Sequence, residues 1–227
     1  TYKDNPNVNQ ETVDALLAYK DTNPMFYTVY ALGEFGSLSQ LVYTNWTKQT
    51  IDIDELRQNK ELILCIGLDW GYSFDPTAII EMLADTENRK LYIVNEYYEK
   101  GLVNSEISEK LTEMGLSKSK IIADSAEPKS IEDLKRMGIS RIKPSIKGSG
   151  SIKAGINKIK EYEIIVSDAC PHTITELQNY SYKKDKSTGE YIDEPVDKFN
   201  HLMDAMRYGI QCADHSNKLR TLPKNTL

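Results

Sequence analysis

The chain has 227 residues, 40% of them hydrophobic and 27% charged, which is ordinary for a globular protein and long enough for one substantial core. No apolar run approaches the ~20 residues that cross a bilayer, and the start of the chain has no secretory-signal pattern. A formal charge of −6 argues against a general nucleic-acid binder, yet Ser117 to Lys160 holds eleven Lys or Arg against four Asp or Glu, a local net of +7. That run is either a solvated face or a surface that meets a polyanion.

In chain order, residues 1–50 read as a helical linker segment. Glu11 to Lys20 carries Val13, Leu16 and Leu17 at helical spacing, and Asn23-Pro24 breaks it. A second helix is expected from Met25 to Leu32, stopping near Gly33, and Gly36 to Trp46 reads as an extended connector. The main domain spans 51–214, its core starting near Glu61. Leu62 to Asp69 is apolar on both alternating faces, the pattern of a covered central strand. Gly71 to Pro76 is turn chemistry. Strands follow at Thr77 to Leu83 and Lys90 to Tyr98, with Asp85 to Asn88 turning between them. The pattern then alternates: helix Asn104 to Met114, strand Ile121 to Asp124, helix Pro128 to Met137, strand Arg141 to Pro144, helix Ile152 to Tyr162, strand Ile164 to Val166. Helices Thr173 to Asn179 and Asn200 to Cys212 bracket a hairpin, Tyr180 to Lys184 with Glu190 to Asp193. The tail, 215–227, is expected to fray. An antiparallel meander followed by βα units gives an α/β protein with a mixed sheet flanked by helices, the element order of a ribonuclease H-like fold.

Three carboxylates carry the functional reading. Asp69 ends the first strand, Asp124 ends another, and Asp204 lies on the last long helix. Each has a structural alternative. Asp69 can start the turn before Gly71. Asp124 or Ser125 can cap the helix that opens at Pro128. Asp204 can be an exposed residue paired with Arg207 one turn on. Together they sit where this fold would gather acids in one cleft, and three converging carboxylates suit a pair of hard divalent cations for phosphodiester hydrolysis. Oxygen donors favour magnesium or manganese over zinc. His201 lies one turn before Asp204, as a structural hydrogen-bonding group or a group near the leaving oxygen. Cys65, Cys170 and Cys212 are not spaced as a metal knuckle and read as reduced thiols.

Lys147 to Lys153 is a Gly/Ser-rich entry into a helix, either a phosphate-binding turn or a plain flexible loop. Lys183, Lys184 and Lys186 crowd the hairpin, as a DNA guide or a solvated turn. Contacts of this type hold backbone without reading bases, so cleavage would have weak sequence preference.

Gly67 to Gly71 followed by Asp75-Pro76-Thr77-Ala78 resembles the first nuclease motif of tailed-phage large terminase subunits. Ile122 to Pro128 resembles the second motif, and His201 to Tyr208 the third. Lys147 to Ile152 is similar to a further family segment, and Tyr2 to Pro6 with Tyr30 to Gly36 look like the stretch that joins the packaging ATPase to the nuclease. The resemblance implies an endonuclease that cuts concatemeric viral DNA during packaging. Asp69, Asp124 and Asp204 would be its metal ligands, Asp75 and His201 accessory groups, and Lys198 a phosphate contact. It further implies two Mg2+ or Mn2+ ions, double-stranded DNA as substrate, and the host cytoplasm as location. The implied partners are an ATPase domain on the same polypeptide, a small terminase subunit and a portal protein, with no membrane. No Gly-x4-Gly-Lys-Ser/Thr run occurs, so this stretch is expected not to hydrolyse ATP. The chain opens on Thr1 rather than Met and is expected to be a piece of a longer polypeptide. The rival readings are a Holliday-junction resolvase or transposase-type nuclease on the same fold, a sugar kinase or actin-like ATPase, and a docking module without catalysis.

Overall fold

The computed structural model describes residues 2, 8–22, 27–32 and 40–213. The elements in chain order are α1 (Gln10–Thr22), a π-helical turn (Tyr27–Ala31), β1 (Trp46–Gln49), α2 (Ile53–Gln58), β2 (Ile63–Asp69), β3 (Thr77–Asp85), β4 (Lys90–Glu99), α3 (Asn104–Glu113), β5 (Ile121–Ala123) and α4 (Pro128–Arg136). They continue as β6 (Ile142–Pro144), α5 (Ser151–Lys160), β7 (Glu163–Ser167), α6 (Pro171–Asn179), β8 (Tyr182–Lys184), β9 (Tyr191–Pro195) and α7 (His201–Gly209). The chain forms two compact units: Thr1–Thr44 with Thr175–Phe199, and Asn45–Ile174 with Asn200–Leu227.

In the larger unit, seven strands among the described residues form one mixed sheet in the order β1-β7-β4-β3-β2-β5-β6. The meander β2-β3-β4 is antiparallel. Strands β5 and β6 extend it in parallel from β2, while β7 and β1 extend it in parallel from β4. This is the ribonuclease H-like arrangement that the order of elements anticipates. Two elements were not anticipated. Strand β1 lies within the expected connector and linker segment, and α2 follows it in a stretch read without structure. The exposed sequence Trp-Thr-Lys-Gln of β1 has no apolar alternation, and its strand character comes from pairing with β7. In α2, the Asp52 side chain caps the Glu55 N–H at 3.0 Å, a cap visible in Asp52-x-x-Glu55 only in retrospect.

The smaller unit holds α1, the π-helical turn and the hairpin β8–β9. Within the expected helix from Met25 to Leu32, the described residues form a wider π-helical turn, Tyr27–Ala31, whose bond runs from the Leu32 N–H to the Tyr27 carbonyl at 3.2 Å. Met25 and Phe26, the break at Asn23-Pro24, Lys3 to Pro6, Gly33 to Gly36 and the tail 215–227 lie outside the described residues.

The faces of β2 explain how the larger unit is built. Ile66 and Leu68 pack with Ile79 against Ile107 and Leu111 of α3 and against Ile131 and Leu134 of α4. Strand alternation sends Cys65, Gly67 and Asp69 to the other face, where α7 lies. There the two backbones meet: a Cβ added to Gly67 would stand 1.7 Å from the Ala205 carbonyl oxygen, and one added to Gly209 would stand 2.9 Å from the Gly67 nitrogen. Helix α7 is buried nearly all round, from Leu202 and Met203 through Ala205 to Gly209. This differs from the alternative of an exposed Asp204–Arg207 pair: Arg207 is only 6% exposed.

Gly67→Ala is therefore expected to push α7 off the sheet and cost at least about 3 kcal/mol, because neither clashing group is a side chain that can rotate away. Urea denaturation of wild type and variant checks this; a loss under about 1 kcal/mol would mean that the helix seats elsewhere.

Candidate active site

Asp69 is the last residue of β2 and Asp124 the first after β5. These strands run parallel, with Leu68 paired to Ala123, so the two acids leave neighbouring strand ends in register. The Asp124 N–H donates to the Leu68 carbonyl at 2.9 Å, continuing the ladder past the strand, and Trp70 Nε1 donates to the Asp124 carbonyl at 3.2 Å. The close seat of α7 on Gly67 brings the first turn of that helix, with His201 and Asp204, over the same end of the sheet.

Each acid is held by one basic side chain. His201 Nδ1 stands 3.2 Å from Asp69 Oδ2, and ionised Asp69 can only accept, which places the ring proton on Nδ1. Lys147 pairs with Asp124 Oδ1, which also accepts the Ala126 N–H at 2.8 Å. Arg207 donates through Nε at 3.1 Å and Nη2 at 2.7 Å to the single oxygen Oδ1 of Asp204. Among the described residues, Asp69 Oδ1, Asp124 Oδ2 and Asp204 Oδ2 have no hydrogen-bond partner. The aromatic ring of Tyr208 braces two of these bases: Lys147 Nζ and the Arg207 guanidinium each stand 5.2 Å from its centroid. Gly155 of α5 leaves room for the Arg207 stem, which would lie 3.3 Å from a Cβ there.

The electrostatics show that Asp69 senses both other acids. Burial pushes the Asp69 carboxyl up to about 6; the His201 hydrogen bond opposes this, and the charges of Asp204 and Asp124 add to it. Burial also raises Asp204, against the pull of Arg207, His201 and Lys147. The Tyr208 hydroxyl is pushed far up by burial, with Asp204, Asp69 and Asp124 all contributing. As the side chains stand, no group of three or more His, Cys, Asp or Glu among the described residues is gathered to hold a metal ion. The bases take one oxygen of each acid instead. The donor set still fits a hard divalent cation, being three carboxylates that repel one another and keep one oxygen each unengaged.

The other expected site residues divide clearly. Asp75 is exposed, with Oδ1 3.6 Å from His201 Nε2, so it joins the rim through the far side of that ring. Lys153 lies exposed on the first turns of α5, whose N-terminus is Gly150 at φ 75° with no side-chain cap. Lys183, Lys184 and Lys198 belong to the smaller unit. There Lys183 is taken up by Glu194 at 2.8 Å and Asp197 at 3.4 Å, while Lys184 and Lys198 lie over the rings of Tyr191 and Phe199. The alternative roles of the acids also resolve. Asp124 forms a two-residue turn onto Ala126 instead of capping α4, whose N-cap is Glu127, and the Asp204–Arg207 pair exists but is buried. Sequence reasoning missed Tyr208 as a brace and Trp70 as a clasp; the signal for Tyr208 was its place directly after Arg207.

Residues 69–211 match the family described as the terminase RNase H-like domain. The chain belongs to that family. It is 32% identical over 219 residues to the large terminase subunit of Bacillus phage SPP1, an alignment covering 93% of this chain and 50% of the relative. It is 29% identical over 215 residues to the PBSX phage terminase large subunit of Bacillus subtilis strain 168, covering 92% of this chain and 49% of that protein. The chain thus spans about half the length of these curated relatives. Among solved structures, the large terminase nuclease domain of bacteriophage SPP1 with bound Mn superposes with a TM-score of 0.69 at 30% identity, covering 75% of this chain and 98% of that one. The match selects the terminase reading over the resolvase and kinase alternatives, and the matched segment runs from Asp69 to just past Asp204.

A buried acid with a raised pKa stabilises the fold only while it is protonated. Asp69 contributes most below about pH 4, and that contribution is lost as pH rises through about 6. In chelator, Asp69→Asn should therefore be more stable than wild type at pH 8 by up to about 3 kcal/mol, the gain vanishing below about pH 4. Denaturant unfolding across that range tests it; a variant less stable at pH 8 would contradict the assigned burial cost.

Proposed function

We propose that this terminase RNase H-like domain is a metal-dependent DNA endonuclease that cuts concatemeric viral DNA during genome packaging. The observation that carries this reading is that Asp69 and Asp124 leave neighbouring parallel strand ends in register, with the charges of Asp204 and Asp124 both adding to the burial that raises Asp69. Mn in the nuclease domain of the SPP1 relative supports it from outside this chain. Asp69, Asp124 and Asp204 would hold two Mg2+ or Mn2+ ions, each acid offering the oxygen that its basic partner leaves unengaged. Bound there, such ions supply a nucleophilic hydroxide and neutralise charge developing on the phosphate.

The chain's own residues do the rest. His201 keeps Asp69 oriented through Nδ1 and presents Nε2 toward Asp75 at the rim, where it can hold a proton near the departing oxygen. Beside Lys147 and Arg207 lies a cleft of about 540 Å³ bordered by Ser151, Lys158 and Gln211. Lys147, Ser151 and Lys158 line it and suit a phosphate backbone, and Lys153, exposed on the same first turns of α5, would add a further contact. Lys198 and Lys184 would add contacts from the smaller unit; Lys183 would add less, since it is already neutralised by two acids. Contacts of this kind read no bases, so cutting would show weak sequence preference. By domain, we assign 1–50 to the linker that follows a packaging ATPase, 51–214 to the nuclease and 215–227 to a tail. The partners would be that ATPase on the same polypeptide, a small terminase subunit and a portal protein, working in the host cytoplasm. Among the described residues no helix is long and apolar enough to cross a membrane.

In a plasmid-relaxation assay with Mn2+, the domain should nick supercoiled DNA, and Asp69→Ala, Asp124→Ala and Asp204→Ala should each lower the rate at least about 100-fold while remaining folded. Wild-type rates in all three folded variants would refute the assignment and leave a docking role. His201→Ala should retain partial activity in the same assay, since it removes the group beside Asp69 and leaves the three carboxylates in place.

A further inference from the structure

Lys147 has a second role in the structure besides the phosphate contact read from sequence. Its ammonium is paired with Asp124, rests on the Tyr208 ring and lies close enough to Asp204 to pull on that carboxyl. The side chain is 39% exposed, whereas Arg207, the comparable partner of Asp204, is 6% exposed and enclosed by α5 and the Tyr208 ring. One cation is therefore built in, while the other sits at the end of a flexible stem at the mouth of the cleft.

We propose that Lys147 is a displaceable internal counter-ion of Asp124, which couples metal binding to DNA binding. This rests on the reading that Asp124 is a metal ligand. A tethered ammonium on Asp124 competes with any divalent cation for that carboxylate and repels it by charge, so the free domain holds metal weakly. When a cation takes Asp124, the ammonium is released at the cleft mouth, one side-chain length from where a phosphate would lie. A phosphate there captures the ammonium and removes the competitor. By linkage, each ligand then strengthens the other by the same factor. Arg207 has no such freedom. It fixes which oxygen of Asp204 is left open and pulls against the burial that raises that acid.

The sign of the effect separates this role from a structural one. A residue that merely props the site weakens metal binding when removed, whereas a competitor strengthens it. Calorimetric titration with Mn2+ alone should give about tenfold tighter binding in Lys147→Met than in wild type, with Lys147→Arg close to wild type because it keeps the charge. Duplex binding by fluorescence anisotropy, in chelator and then in Ca2+, supplies the second readout. Calcium should raise the affinity of wild type for a short duplex more than that of Lys147→Met, because only wild type releases an ammonium to the phosphate. Thermal melting of each variant confirms the fold. Equal or weaker Mn2+ binding in folded Lys147→Met overturns the competitor role even when Asp124→Asn abolishes binding, which leaves the nuclease reading intact. A wild-type domain with no Mn2+ binding at all, unchanged by Asp124→Asn, overturns both.

Discussion

The contact between Gly67 and the backbone of α7 decides where every other group of the site lies. Two main chains that approach within van der Waals reach leave no tolerance for sliding, because a shift in either direction drives carbonyl into amide. The last helix is thereby locked over the central strand with its first turn above the strand's C-terminal end. His201 and Asp204 are far from Asp69 in sequence, yet their distance from it is set by two glycines and an alanine. The same seat explains why α7 is buried nearly all round despite carrying His201, Asp204 and Arg207. Its polar groups have no water to turn to, so they must find one another.

That necessity shapes the charge balance. Three carboxylates at one sheet end are costly to bury, and the protein offsets the cost with one base per acid instead of protonating all three. The bases differ in kind. The imidazole on Asp69 can shed its charge, the guanidinium on Asp204 cannot, and the ammonium on Asp124 keeps its charge but can leave. A site balanced this way is stable without an external cation and still retains open carboxylate oxygens. The balance remains imperfect, as the upward displacement of Asp69 shows. That residual cost, chiefly of burial with the charges of Asp204 and Asp124 added, is what a dication entering there would relieve.

Much of this was legible in the sequence, for identifiable reasons. The meander and βα order could be read because β2, β3 and β5 are apolar runs bounded by turn residues, and three acids stood at element ends where a chain seldom places charge by accident. What could not be read is what depends on tertiary partners. Strand β1 has no pattern of its own and exists through β7. Arg207 looked like a solvent-facing partner at i+3, because nothing in its neighbourhood announces that Gly155 makes room for its stem. Lys147 looked like a cation on a flexible loop, since a helix and a strand, α4 and β6, separate it from Asp124. The Glu96 side chain was equally hidden: it leaves β4 to accept the N–H groups of His172 and Thr173 and closes the start of α6. Local chemistry names the charged residues of such a domain, and only packing assigns their partners.

The distribution of charge bears on how such a domain would meet DNA. The chain is acidic overall, which sets its long-range field against a polyanion, and the cations nearest the three acids are engaged internally. Lys147 is engaged by Asp124, Arg207 by Asp204 and Lys183 by Glu194 and Asp197. A phosphate that reached Lys147 or Lys183 would first have to break an internal pair, and such an exchange returns only the difference between two ion pairs. A tethered neighbour would offset that cost by raising the local concentration of a polyanion without any new contact. The cations that would have to let go, Lys147 above all, are the same groups that hold the acids in place.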